Sequence, residues 1–250
     1  MKKMFKIKYN QSLIILISII FFSYLLGFYL NEDSAGGGKI DYIAHELGTI
    51  KLFTKNDLTI ALNSMLYESS RTPLFYIINK YIPFNNNADN LRLLWFIFSI
   101  TIPFLFYHTL KIVISEKLNN IHISLFACTI LISPYFRTNA YWPSSENLQI
   151  FFVILSLFFY FFLINRNNKN KFELYCLSIL SISSAYCAFY TDQKAFFLVA
   201  LIYFDLIRRN NLFFFLIFSF FNLLLFLPTI YLLVSWGGLV PVESQFRVSK

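Results

Sequence analysis

The stretch "LIILISIIFFSYLLGFYL", Leu13 to Leu30, contains no charged residue over 18 positions. At 1.5 Å rise per residue such a helix covers about 27 Å, close to the roughly 30 Å hydrocarbon core of a bilayer. Lipid offers no hydrogen-bond partner to a backbone, so a segment of this kind crosses as a helix. Comparable apolar runs follow at Leu93–Ile114, Ile121–Tyr135, Leu148–Ile164, Phe172–Tyr190, Ala195–Ile207 and Leu212–Val234. The third and sixth are short. The pattern predicts an all-α, polytopic transmembrane helical bundle of about seven spans, forming a single membrane domain over residues 1–250.

Composition points the same way. The chain is 57% hydrophobic and 20% aromatic, and its mean hydropathy is +0.59. Only 14% of it is charged, against about a quarter in soluble proteins. A net charge of +8 would suggest nucleic acid in a soluble chain. Here the basic residues stand in short clusters between apolar runs, where the positive-inside effect puts them, so nucleic acid is excluded as a partner. Cys128, Cys176 and Cys187 lie in or beside apolar runs without CxxC spacing, and read as small buried hydrophobes. The basic arm "MKKMFKIKYN" resembles a signal peptide, but the apolar run is too long and no A-x-A site follows. It reads as an uncleaved anchor.

Seven spans require alternating loops, and charge then sets the orientation. With the N-terminus inside, the short inner loops "SEKLNN", "NRNNKNK" and "RRNN" hold six Lys or Arg in 17 residues, and the arm adds four. The short outer loops "RTNAYWPSSEN" and "TDQK" hold two in 15. The bias predicts a cytoplasmic amino terminus in a plasma membrane, the bacterial inner membrane by expectation. Ten of the 13 acidic residues then fall outside; Glu116, Glu173 and Asp205 do not.

After the arm (1–12) and first span (13–30), an outer loop covers residues 31–90, before six further spans (91–234) and an outer tail (235–250). A loop that long carries structure or function of its own. Two amphipathic stretches in it, 41–50 and 57–67, are too short to span and are expected to lie along the membrane. Their apolar stripes are Ile43, Leu47 and Ile50, then Leu58, Ala61, Leu62, Met65 and Leu66. A third helix is expected from Thr72-Pro73, with Thr as N-cap and Pro at the first helical position.

The segment "NEDSAGGGKIDYIAHELG" (31–48) opens that loop. It is not a P-loop, because Asp33 stands where the first glycine belongs and Ile40 follows Lys39; "HELGT" lacks the second histidine of a zinc protease helix. Glu32 and Asp33 emerge where the first span meets water. A carboxylate there can take the proton that an acceptor hydroxyl loses as it attacks a sugar carbon. Gly36 to Gly38 allow a tight loop and close approach to a ligand. Asp41 and His45, at i and i+4, would share a helix face suited to a metal or a sugar. The bland reading of these residues is a polar helix stop and a solvated pair.

Later outer segments add Arg71, Arg137, Glu146, Asp192 and Lys194. Charges at a membrane edge are costly and default to functional hypotheses. Arg and Lys there could hold a phosphate leaving group, Arg with a planar fork and Lys as a point charge. Tyr141 and Trp142 read as interfacial anchors, and Glu146 as a complement to a helix N-terminus. His108 and His122 read as structural. Cofactors stay open, a divalent metal among them.

Taken together, these residues resemble the polytopic GT-C glycosyltransferases that use polyprenyl-phosphate sugars, such as protein O-mannosyltransferases and lipid A aminoarabinose transferases. In that family an acidic motif follows the first span, here matched by Glu32-Asp33, and two membrane-parallel helices follow it. "SSRTPLFY" (69–76) and "RTNAYWPSSENL" (137–148) are similar to its later polar segments. The resemblance implies transfer of a sugar from a polyprenyl-phosphate donor to a glycan, lipid or protein acceptor on the outer face. Asp33 would be the base, Glu32 would support it or bind a metal, and Arg71, Arg137 and Lys194 would hold phosphate. Family members usually continue beyond a seven-span module, so the chain also reads as a truncated product, a minimal module or half of a split system. The alternatives are a non-catalytic protein of lipid-linked sugar transport or assembly, and an inactive homologue. Span interiors nearly free of charge argue against ion-coupled transport.

Overall fold

A computed structural model describes residues 2–67, 69–82, 87–114, 118–166, 170–238 and 240–241, with side chains from residue 11 onward. Glu68, Glu116, residues 167–169 of one basic loop and the expected tail beyond Pro241 lie outside the described residues. The described residues form an all-helical bundle without strands. Its long helices are α1 (Lys2–Tyr29), α6 (Ala88–Ile114), α9 (Ser145–Ile164), α10 (Lys171–Phe189) and α12 (Leu212–Trp236). These five are long and apolar enough to cross a membrane.

The other two expected spans are helical but different in form. Segment 121–135 becomes α7 (Asn120–Cys128), a 3-10 turn (Thr129–Ile132) and α8 (Pro134–Tyr141), bent by 66°. Pro134 has no N–H and disfavours a helical residue before it, so Ser133 is extended at ψ 122. The Ser133 hydroxyl accepts from the Phe136 N–H, and Pro134 restarts the helix at its first position. Segment 195–207 is α11 (Phe196–Arg208), 13 residues and so only about 20 Å long. It falls short of the bilayer core on its own.

Polar contacts fix which helix ends lie together. Arg92, at the start of α6, donates through Nη2 to Asn31 Oδ1 (2.8 Å) and through Nε to the Tyr141 carbonyl (2.9 Å). The ends of α1 and α8 and the start of α6 therefore share one end of the bundle. At the opposite end Asn165 donates to the Ile112 carbonyl (3.0 Å), while Asp205 accepts from Tyr160 (2.6 Å) and Arg209 (2.5 Å). Between the ends, α9 and α10 approach through Ser156 and Ser181, each hydroxyl donating to the other residue's carbonyl at 2.8 and 3.0 Å. Small hydroxyl residues let two apolar helices come this close. His108 lines an apolar groove against α1 and α7, and the Asn119 side chain accepts from the His122 backbone.

The long loop is built onto the end that carries Glu32 and Asp33, the acidic end. It contains α2 (Gly38–Asp41), a π turn (Tyr42–Glu46), α3 (Leu47–Lys55), α4 (Leu58–Leu62) and α5 (Leu74–Tyr81). Ile50, Phe53, Ala61, Leu62, Phe75 and Tyr76 form one buried cluster with Leu91, Trp95, Leu148, Leu232 and Trp236 from α6, α9 and α12. Trp236 also donates to the Leu62 carbonyl at 2.9 Å.

The details depart from the expected stripes. The π turn shifts the buried face to Tyr42, Glu46, Ile50 and Phe53, and leaves Ile43 exposed. The helix at 57–67 is only five residues long, so Met65 and Leu66 are exposed. Thr72 does not cap α5. Pro73 occupies the cap position, and the Thr72 hydroxyl donates instead to the Phe189 carbonyl (2.8 Å), tying the loop to the end of α10.

Candidate functional site

Two charged clusters and a cleft between them occupy the acidic end. The first cluster forms where α1 ends. The backbone turns at Asn31, which adopts a left-handed φ of 55°, and this brings Glu32 back over Gly27. Arg137 donates to both carboxylate oxygens of Glu32, at 2.9 Å from Nε and more closely from Nη2. Arg137 also donates to the Ser23 hydroxyl and carbonyl, both at 3.0 Å. The bidentate fork is the strong form of an Arg–carboxylate pair. Burial pushes the Glu32 carboxyl up, and the Arg137 hydrogen bond and charge outweigh it, so the group is held below its usual range.

Asp33 faces the glycine loop. Its oxygens accept from the backbone N–H groups of Gly37 (3.1 Å), Gly38 (3.0 Å) and Lys39 (3.3 Å). Gly36 and Gly37 take φ of 70° and 95°, a region open to glycine at little cost. Gly38 passes so close to Thr138 that no side chain would fit there. The glycine run is thus a tight loop, as its sequence predicts, clamped onto its own aspartate.

The second cluster centres on Arg71. Its guanidinium pairs with Glu146, lies 3.5 Å from Asp192 and donates to Ser145 Oγ at 2.8 Å. Lys194 reaches Asp192 at 3.7 Å, although 82% of its side chain is exposed. Asp192 is buried and also caps the short turn at Gln193, accepting from the Lys194 N–H at 3.0 Å. Of the expected phosphate-holding cations, Arg71, Arg137 and Lys194 are therefore all paired with carboxylates.

Glu46 is a third acid of this neighbourhood that the sequence did not single out. It is buried, accepts from the Tyr76 hydroxyl (2.6 Å) and faces the Arg71 and Glu146 charges. Burial is the main influence and pushes its carboxyl up to about 7, against the opposing effect of Tyr76 and Arg71.

The cleft has a volume of about 450 Å³ and runs between the glycine loop, α8 and the start of α9. Asp41 and Glu146 both line it, together with Gly36, Gly38, Ser133, Thr138 and Asn139. It brings the first loop and the Arg71 cluster to one space. His45 does not join it. The π turn after Asp41 breaks the i, i+4 alignment, and His45 lines a separate cleft with Lys51 and Lys55. Among the described residues no group of three His, Cys, Asp or Glu is arranged to hold a metal ion.

Tyr141 and Trp142 are not interfacial anchors. Both are buried. Tyr141 donates to the Tyr24 carbonyl (2.7 Å) and Trp142 to the Glu32 carbonyl (3.0 Å). The Arg92 guanidinium stacks 3.7 Å over the Trp142 ring, with Lys39 at 5.3 Å. Arg92 was legible in principle: it is a cation at the edge of a span on the acidic side, the same kind of signal that marked Arg137. Asn139 had no such signal, since only the bend at Pro134 turns it into the cleft.

No family model, curated protein or solved structure matches the chain.

Proposed function

We propose that the chain is an integral membrane glycosyltransferase that moves a sugar from a polyprenyl-phosphate donor to an acceptor at the acidic end of the bundle. That end faces outside the cytoplasm, and the amino terminus lies inside, in the bacterial inner (plasma) membrane. The observation that carries this reading is the adjacency of two unlike surfaces. Ile130 and Ser133 line the carboxylate cleft, while Leu131 lines an almost wholly apolar groove of about 510 Å³ between α1, α6 and α7. Phe22 lines the same groove, and Ser23 beside it holds Arg137. A molecule with a long apolar chain, a phosphate and a sugar has a use for each part.

The base assignment shifts within this reading. Asp33 accepts three backbone N–H groups and positions the loop. Asp41 and Glu146 open into the cleft, where either could take the acceptor's proton, with Arg71 fixing Glu146. A non-catalytic role in lipid-linked sugar assembly is favoured by one specific feature: Glu32, Asp33, Glu146 and Asp192 all have partners within the chain.

The test supplies radiolabelled polyprenyl-phosphate sugars to membranes carrying wild type, D41N or E146Q. Loss of transfer by at least about a hundredfold in one of the two is expected, the usual range for removing a general base. Undiminished transfer by both variants, or none by wild type with any donor, would overturn the proposal.

A further inference from the structure

On the outer surface of the loop, α3 presents a second cleft of about 320 Å³, lined by His45, Thr49, Lys51, Lys55 and Asn56 with Leu52 and Leu66. We infer that this cleft binds the phosphate headgroup of an anionic lipid, at a site separate from the carboxylate cleft.

Three observations carry it. First, Lys51 and Lys55 are exposed, stand one helical turn apart on the same face, and make no ion pair with a described residue. At the same end of the molecule Arg71, Arg92, Arg137 and Lys194 are paired with carboxylates, and Lys39 lies over the Trp142 ring. Second, the plain explanation of Lys55, neutralising the carbonyl end of its helix, is already met. Lys80 donates there, to the Phe53 carbonyl at 3.0 Å and more closely to that of Asn56. Third, the cleft is amphiphilic. Leu66 on its wall and the adjacent Met65 are 67% and 63% exposed, a combination that suits the boundary between headgroups and acyl chains. Gly48 keeps the cleft floor open, with nothing within contact distance of where a side chain would stand. Two lysines next to apolar surface bind a phosphate diester as point charges, and the apolar wall favours a lipid over a soluble phosphate.

The site does not depend on the transferase reading, since its test measures binding alone. The full chain is purified in neutral detergent and titrated with dioctanoyl phosphatidylglycerol, following thermal stability and lipid adducts by native mass spectrometry. Dioctanoyl phosphatidylcholine and inorganic phosphate are run in parallel. Wild type is expected to bind the anionic lipid saturably, and K51Q/K55Q about tenfold or more weakly, from two lost charges. K51R/K55R and K111Q are expected to bind like wild type, the second because Lys111 lies at the opposite end. Both lysines are exposed, and unchanged lipid-free stability of K51Q/K55Q will separate lost binding from lost folding. Equal binding by K51Q/K55Q and wild type would overturn the inference. So would equal binding of phosphatidylcholine, or of inorganic phosphate at the same concentration.

Discussion

At Gly27 an added methyl group would run into the Glu32 carboxylate, the Tyr141 hydroxyl and the Arg137 guanidinium. Alanine is favoured over glycine inside a helix by about 1 kcal/mol. Separating a charge-assisted, partly buried pair costs about 1.5–3 kcal/mol, so the steric effect should prevail. G27A is therefore expected to lower thermal stability in detergent, and E32Q in the same background should add little further loss because the pair is already broken. Independent, additive losses in the double variant would show that Gly27 does not act through the pair. Glu46 ties stability to pH. Its folded pKa is about 7, raised from an ordinary 4.5. An acid whose pKa rises on folding contributes most when protonated. Its share of stability is complete below about 4.5 and is lost as pH rises through about 7. Wild type should therefore lose stability between pH 5 and pH 8, and E46Q should flatten that part of the profile. A wild-type melting temperature that E46Q shifts equally at both pH values would refute the assignment.

At the scale of elements, the junction of the 69–73 segment with α9 and α10 rests on Arg71. Removing it leaves Asp192, only 5% exposed at its side chain, without its guanidinium partner. Breaking such a pair from one side costs about 3–5 kcal/mol when it is well buried, and Arg71's 23% exposure places the expected loss toward the lower figure. R71A is predicted to destabilise the fold by about 3 kcal/mol, and R71A/D192N to recover part of that. Chemical denaturation of the two variants in detergent decides it; no recovery would show that Asp192 is not the group left stranded. The bend at Pro134 sets the direction of α8. The expected span 121–135 ran through this proline, and neither the break nor its turning of Thr138 and Asn139 toward the glycine loop was read from the sequence. That outcome depends on α8 packing against α1 and α6, contacts made far apart in sequence, as well as against the following α9.

For the whole molecule, the two ends differ in charge, and the proposed orientation rests on that difference. Single cysteines placed at Lys39 and Arg166, in a chain with Cys128, Cys176 and Cys187 replaced, should label oppositely in intact cells. A membrane-impermeant reagent should reach position 39 and miss position 166 until the membrane is opened. The reverse pattern would invert the topology and place the cleft in the cytoplasm. The same experiment at either end of α11 would decide whether its 13 residues cross the membrane or only dip into it.

The sequence by itself determined the class, most of the helical segments and the end of the bundle where polar chemistry collects. Hydrophobic run length and charge bias are local properties, and lipid enforces their consequences one segment at a time. It also predicted the tight glycine loop, since φ above zero is a property of the residue. What it missed are pairings. Glu32 meets Arg137 across 105 positions, Arg71 meets Asp192 through the folding of the loop onto α10, and the π turn after Asp41 separates it from His45. Which carboxylate holds a backbone and which opens into a cleft was decided only by tertiary structure. Identical side chains differ in role through their neighbours, and helix packing alone supplies those neighbours.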